Sequence, residues 1–274
     1  MIGFGRMAKA IISPLFQRGD YEPENVLGVV GNTASIPSAL SDLPKGLKVV
    51  SSQDPLSREI WSAPLKLLAV KPQQFGNIKE FASSFQSNDQ FPKPLLISVL
   101  AGITLKSLKN AFPSHTCVRA VPNTASLVGE GLTGLAWSDD VTLDQKIEVR
   151  KIFEPISEIF ELPEKQLDSF LALTSSGPAY IALVMEAMAD GAVAAGLPRN
   201  LSNKLAHRTV SGAASLVREK DLHPAELKDM VASPAGTTIS ALRHLELAGL
   251  RSALIEAVVL AAQKSRQLAE EAES

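Results

Sequence analysis

The first eight residues constrain the fold more than any other stretch of this chain. Ile2-Gly3-Phe4-Gly5-Arg6-Met7-Ala8 has the spacing G-x-G-x-x-A and runs straight into a helical pattern carried by Ala10, Ile11, Ile12 and Leu15. Such a turn asks for a tight bend at Gly3, close backbone approach to a pyrophosphate at Gly5, and helix–strand packing at Ala8. Small residues recur by chance, so the spacing alone is weak. Its position strengthens it, because it opens a helix ahead of the β-branched run Val26-Leu27-Gly28-Val29-Val30.

Further runs of that kind follow at Lys48-Val49-Val50, 65–70, 95–99 and 116–121. Continuous apolar runs of this length suit strands buried on both faces of a parallel sheet. Helical patterns separate them at Met7 to Arg18, Ile60 to Ala63, Phe75 to Phe85 and Leu105 to Ala111. This alternation predicts a doubly wound α/β, Rossmann-like domain. A helix is also expected over Leu143 to Phe160, and Glu161-Leu162-Pro163-Glu164-Lys165 then reads as a boundary. Beyond it no strand pattern stands out. Helices are expected at Ala179 to Ala195, Asn200 to Arg218, Pro224 to Ala232, Thr238 to Glu246 and Arg251 to Glu271. The expected organisation is a dinucleotide-binding domain over 1–160 and an all-α domain over 161–274 for substrate and dimerisation.

Composition narrows the functional classes. A net charge of −2 gives no electrostatic case for nucleic acid or an anionic membrane. The apolar runs fall short of the roughly 18 residues that span a bilayer. Arg6, Lys9 and Arg18 interrupt any signal-like stretch at the start, and the single Cys117 fits a reducing compartment, so a cytoplasmic protein is expected. Cys117 reads as a small buried residue. With only 5 % aromatic residues, packing leans on Ala, Leu, Val and Ile. The alanine-rich second half reads as helices that pack closely, as a bundle or an interleaved dimer. His115 and His244 read as surface residues and His223, before Pro224, as a helix-opening residue. No ligand cluster with regular spacing appears, so no metal is expected.

The turn after the second strand separates the cofactors. NAD sites usually place Asp or Glu there to bind the ribose hydroxyls. This chain has Gly31-Asn32-Thr33-Ala34-Ser35, where no carboxylate repels a 2′-phosphate and Asn32, Thr33 and Ser35 offer hydrogen bonds. NADPH is expected to be preferred, with NADH admitted. A strand of about five residues normally precedes the first glycine of such a motif. Only Met1 and Ile2 stand there, so further residues upstream are expected.

The second stretch with chemical content is Ala232-Ser233-Pro234-Ala235-Gly236-Thr237-Thr238, a hydroxyl-bearing, glycine-containing loop at a helix start. A small anion suits the amides there. The plainer reading is a helix capped by Ser or Thr.

Taken together these segments resemble the pyrroline-5-carboxylate reductase family along nearly the whole chain. Residues 2–8 are similar to that family's "IGAGNMA", Ala69-Val70-Lys71-Pro72-Gln73 to "AVKPQ", and residues 119–125 to "RxMPNTP". Residues 175–180 are similar to "GSGPAY", 196–199 to "GLPR", and the loop at 233–238 to "SP(G/A)GTT". The resemblance implies hydride transfer from NAD(P)H to the C=N carbon of a cyclic imine, giving L-proline, in a homodimer or higher homo-oligomer. It implies cofactor contacts from Gly3, Gly5, Arg6, Met7, Asn32, Thr33, Ser35, Ala69, Val70, Lys71, Pro72 and Asn123. It implies that Ser233 and the amides of Gly236 and Thr237 hold the substrate carboxylate, with Thr238 at the ring nitrogen. A protonated imine needs little acid assistance, in keeping with the lack of a strong acid constellation.

The chain departs from the family pattern at several places. Arg6 stands where Asn is frequent, Ala125 where Pro is usual, and Met230 where a polar residue is common. Ser51-Ser52-Gln53-Asp54 lacks a frequent Asp-Asn. The competing readings are an imine reductase or β-hydroxyacid dehydrogenase on the same architecture, for which Lys204 is the only candidate lysine, and a catalytically silent relative.

Overall fold

The computed structural model describes residues 1–83 and 93–273. The chain forms two compact units, Met1–Ser175 with Ala261–Ser274, and Ser176–Leu260. Compactness therefore breaks the chain at 175/176 rather than at the compositional boundary of 160/161.

The first unit is built on β1 (Leu27–Val30), β2 (Lys48–Ser51), β3 (Leu65–Leu68), β4 (Leu95–Ser98), β5 (Thr116–Pro122), β6 (Gly131–Trp137) and β7 (Ser157–Glu161). β1 pairs with β2, and β3 to β7 pair in sequence order. Ile2 joins the two groups, bridging Val29 on one side and Leu68 on the other, both in parallel. Its amide donates to the Leu67 carbonyl at 2.8 Å, and its carbonyl accepts from the Ala69 amide at 2.7 Å. The Gly-rich turn thus leaves the middle of the sheet.

The expected parallel strands all form. Two strands were hidden from the sequence pattern. β6 runs antiparallel to β5, and β7 lies parallel to β6. β6 carries two glycines that weaken its strand signal, and space explains both. A Cβ at Gly134 would come within 2.9 Å of Leu167 and Phe170, and one at Gly131 within 2.5 Å of the Ile156 carbonyl. The expected helix over 143–160 is corrected: α5 (Leu143–Phe153) stops, and Ser157–Glu161 turns into β7. Pro155 has no N–H to continue the ladder. At its other end α5 starts on a Thr142/Gln145 capping box.

Helices cover both faces of the sheet. They are α1 (Arg6–Arg18), α2 (Ile36–Leu40), α3 (Phe75–Ser83), α4 (Leu105–Ala111), α5, and α6 (Leu167–Thr174). Residues 60–62 belong to a 3₁₀ helix, Pro55–Ser62, rather than an α-helix, and Ala63 is its extended C-cap. The expected helical residues 84 and 85 lie outside the described residues. Alternate strand residues enter two cores. Leu68, Leu96 and Cys117 pack with Trp61, Leu108 and Phe112 on one face. Leu67, Leu95, Ile97 and Val118 pack with Ile11, Leu15, Val149 and Phe153 on the other. Each fully buried aliphatic side chain contributes about 1.5–3 kcal/mol. This two-sided burial is why the strand runs read as unbroken apolar stretches.

Polar groups are also buried here. His115, expected at the surface, is 4 % exposed among Trp61 and Phe112, and its pKa is pushed down to about 4 by burial and then by the Lys66 charge. The sequence signal missed it because it sits one residue before β5, on the edge of a polar Pro-Ser-His turn. Cys117 is buried with its thiol pushed up to about 12, chiefly by burial, which keeps it unreactive. Arg119 on β5 is buried, and its guanidinium reaches Asp168 at 3.1 Å and Glu164 at 3.4 Å. Asp168 also accepts from the Ser265 hydroxyl at 2.8 Å, tying the late chain to the sheet.

The second unit contains α7 (Gly177–Ala194), α8 (Arg199–Lys220), α9 (Pro224–Val231), α10 (Thr237–Leu247) and the first part of α11 (Leu250–Glu273). The helices fall where the periodicity places them. α7 and α8 bury very little within the chain: Ala189, Ser202 and Ala206. Large apolar side chains such as Leu183, Met230, Leu247 and Leu260 are exposed. A surface of that kind calls for a covering partner. Among the described residues, Glu164–Ala194 is a helical stretch long and apolar enough, by length and composition alone, to cross a membrane, which the core helix of a soluble protein also satisfies. The run is broken between α6 and α7, and α6 holds the ion-paired Asp168.

Candidate functional site

A cavity of ≈ 850 Å³ opens in the first unit at the carboxyl ends of Ile2, β1 and β3. This edge of an open α/β sheet is where ligands bind. Gly3 bends there at φ +89, and a Cβ on it would lie 2.6 Å from the Ala69 carbonyl oxygen, so only glycine fits. Gly28 makes room for Phe4, since a Cβ on Gly28 would touch the Phe4 ring at 2.6 Å. Gly5 is the N-cap of α1, with open space beside its Cα and no side-chain cap. The first turn of α1 carries no acidic residue. These amides and the positive end of the helix therefore face the cavity, as an anion requires. Ala8, fully buried, packs the helix on the sheet.

Of the expected cofactor residues, Gly3, Gly5, Asn32, Ser35, Ala69, Val70 and Lys71 line the cavity. Arg6, Met7, Thr33 and Pro72 adjoin these along the chain without lining it. Asn123 is elsewhere. It is buried, its amide donating to the Thr174 carbonyl and its oxygen accepting from the Leu132 amide, both at 3.0 Å. Its side chain is thus a strut between β5, β6 and α6.

The ribose end of the cavity is set by the turn after β1. Asn32 Oδ1 accepts from both the amide and the hydroxyl of Ser35, at 3.0 and 2.9 Å. This leaves the Asn32 amide nitrogen as a donor and turns the Ser35 hydroxyl proton towards Asn32. The Ser52 hydroxyl likewise donates to the Gly31 carbonyl at 3.1 Å. No carboxylate lines the cavity among the described residues, and Lys71 is its cationic side chain. Gln74, Asn77, Ile78 and Phe81 form a further wall that the motifs do not reveal. Their spacing of three, four and seven on one face of a helix was the available signal.

The expected substrate loop lies in the second unit. α9 is opened by His223, whose Nδ1 accepts from the Ala225 amide at 3.2 Å while Glu226 closes a capping box. After α9 the chain turns through Ala235 at φ +56, and Gly236 becomes the N-cap of α10. A Cβ at Gly236 would fall 2.2 Å from Ser233 Oγ. The plain capping reading does not hold, since α10 starts with no side-chain hydrogen bond to its first amides. The Gly236 amide donates to the Ser233 carbonyl at 3.0 Å, closing the turn before α10. Ser233 and Thr237 are exposed and Thr238 is half-buried. Lys204, the alternative catalytic lysine, is exposed on α8.

A dinucleotide cavity at a Gly-rich helix start, with an apolar helical unit following, defines a nicotinamide-dependent oxidoreductase. Residues 1–102 match the family model described as NADP oxidoreductase, coenzyme F420-dependent. Residues 164–268 match the model for pyrroline-5-carboxylate reductase dimerisation. The chain is 41 % identical to the pyrroline-5-carboxylate reductase of Synechocystis sp., across 98 % of this chain and 97 % of that one. The corresponding enzyme of Glycine max is 37 % identical, across 97 % and 94 %. Among solved structures, a pyrroline-5-carboxylate reductase from Coxiella burnetii superposes with a TM-score of 0.83 at 32 % identity, covering 97 % and 96 %. A pyrroline carboxylate reductase from Plasmodium falciparum with NADP bound gives 0.80 at 30 % identity, covering 98 % and 96 %. The chain belongs to the pyrroline-5-carboxylate reductase family.

Proposed function

We infer that this chain reduces 1-pyrroline-5-carboxylate to L-proline, with NADPH as the preferred donor and NADH accepted, as a cytoplasmic homo-oligomer. The observation that carries the reading is the uncapped start of α10 beside Ser233, in a chain whose other unit holds a carboxylate-free dinucleotide cavity.

The residues fit the cofactor. Gly5 lets a pyrophosphate approach the backbone, the α1 amides oppose its charge, and Arg6 adds a cation at the same helix start. The Asn32 amide donates to the 2′-substituent of the ribose. A neutral amide serves a hydroxyl as well as a phosphate, and this supports a preference for NADPH rather than an exclusion of NADH. The bound nicotinamide supplies the hydride.

On the substrate side, Ser233 and the Thr237 amide hold the carboxylate, where the helix dipole favours negative charge. Thr238 hydrogen-bonds the ring nitrogen and orients the C=N bond. Orientation and proximity carry most of the rate in such a transfer. The test is NADPH oxidation with pyrroline-5-carboxylate by the wild type and by Thr238→Ala. The variant should lose about ten- to a hundredfold in kcat with NADPH affinity unchanged. Weakened NADPH binding with normal turnover at saturation would sink the role of Thr238.

A further inference from the structure

We propose that Lys9 is a positioning residue for the cofactor cavity, clamping α2 so that the ribose side of the cavity keeps its shape. The inference rests on the reading of that cavity as the dinucleotide site. Lys9 lies in the first turn of α1, behind the Gly-rich bend, and does not line the cavity. Its ammonium donates to the Ser38 carbonyl at 2.5 Å, the Ser41 carbonyl at 3.0 Å and the Ser41 hydroxyl at 2.7 Å. Three acceptors match the three protons an ammonium carries.

The acceptors identify what is held. Ser41 is the C-cap of α2, and its hydroxyl also donates to the Ser38 carbonyl at 3.0 Å. The cation therefore sits on the carbonyl end of α2, where the helix dipole is negative. α2 has five residues and no side-chain cap at its start. A single turn of that length has no stability of its own. Ala34, Ser35, Ser38 and Ala39, from the turn before α2 and from α2 itself, line the cavity. Ala39, with the partly buried Ile36 and Leu40 beside it, anchors the turn in the core, and Lys9 fixes its carbonyl end. Without Lys9 the Asn32–Ser41 segment keeps its apolar contacts through Ile36, Ala39 and Leu40 but loses the polar tie at its carbonyl end, and each binding event must then order that end.

A clamp and a direct charge effect make different demands. A clamp serves any dinucleotide alike, whereas a charge acting through space favours NADPH over NADH and is screened by salt. The experiment titrates the full chain with NADPH and with NADH by cofactor fluorescence, for wild type, Lys9→Met, Lys9→Arg, Ser41→Ala and Asn32→Asp. KM for each cofactor, kcat and the melting temperature are measured alongside. Lys9→Met should raise Kd for both cofactors by the same factor, about tenfold, with kcat at saturation and the melting temperature little changed. Lys9→Arg should recover part of the loss, and Ser41→Ala, which changes no charge, should reproduce part of it. An unchanged Kd in Lys9→Met, or a loss confined to NADPH and removed by salt, overturns the proposal. So does a fall in kcat and melting temperature without a change in KM. Asn32→Asp separates the underlying reading: it puts a carboxylate on the cavity wall and should weaken NADPH. If it does so while Lys9→Met does not, the clamp alone fails. If neither variant alters cofactor binding, the cavity assignment fails with it.

Discussion

Removing the Asp168 carboxylate should destabilise the first unit by about 3 kcal/mol, through a charge left without its partner. Arg119 is 1 % exposed, and its Nε has no partner among the described residues. Asp168 supplies its shorter ion pair, at 3.1 Å; Glu164 stands at 3.4 Å with a side chain 30 % exposed. Breaking a buried pair by deleting one member typically costs 3–5 kcal/mol. Because Glu164 remains and admits water, the lower end applies. The Ser265 hydroxyl, 97 residues away along the chain, loses its acceptor as well. Asp168→Ala should therefore lose a large part of a stability that is about 5–15 kcal/mol for an ordinary domain. Arg119→Met should also destabilise, but the double variant Arg119→Met/Asp168→Ala should cost less than the two single changes added together. The assay is urea unfolding at fixed protomer concentration, since association contributes to apparent stability. A loss under about 1 kcal/mol in Asp168→Ala, or strict additivity in the double variant, would refute the argument.

Two further outcomes test the fold and the cavity. His115 is held neutral, with a folded pKa of about 4 against an ordinary 6.5. Its contribution is therefore present above pH 6.5 and is lost as pH falls towards 4, about 3 kcal/mol in all. His115→Phe should flatten the fall in melting temperature across that window; an unchanged slope would show that other groups set it. Gly3→Ala should cost about 3 kcal/mol, because a side chain there meets the Ala69–Val70 backbone at positive φ. Gly5→Ala, facing open space, should fold normally and bind NADPH more weakly, and equal melting losses for the two variants would contradict the geometry.

The dinucleotide half was legible where residues carry a backbone rule. Gly3, Gly5 and Ala8 announce a turn and a close helix, and the unbroken apolar runs announce strands covered on both faces. β6 was not legible, since its glycines answer to Phe170 and Ile156, residues distant in sequence. The side-chain partners of Asn123 were hidden for the same reason. A motif places it at a strand end, but only the packing of Thr174 and Leu132 occupies both ends of its amide. His115 looked exposed because polar neighbours mask a position that Trp61 and Phe112 enclose.

The sequence by itself determined the class of chemistry: a Gly-rich turn, no carboxylate after β1, and a Ser-Pro-Ala-Gly-Thr-Thr loop at a helix start. Local backbone requirements and side-chain types are written residue by residue, so they survive reading in one dimension. The tertiary structure decided which donors are available. It committed the Ser35 hydroxyl and the Gly236 amide to their own turns, left the start of α10 uncapped, and set Lys9 on the end of α2. A hydrogen bond has one proton to give, and where it goes depends on neighbours that the order of the chain does not list.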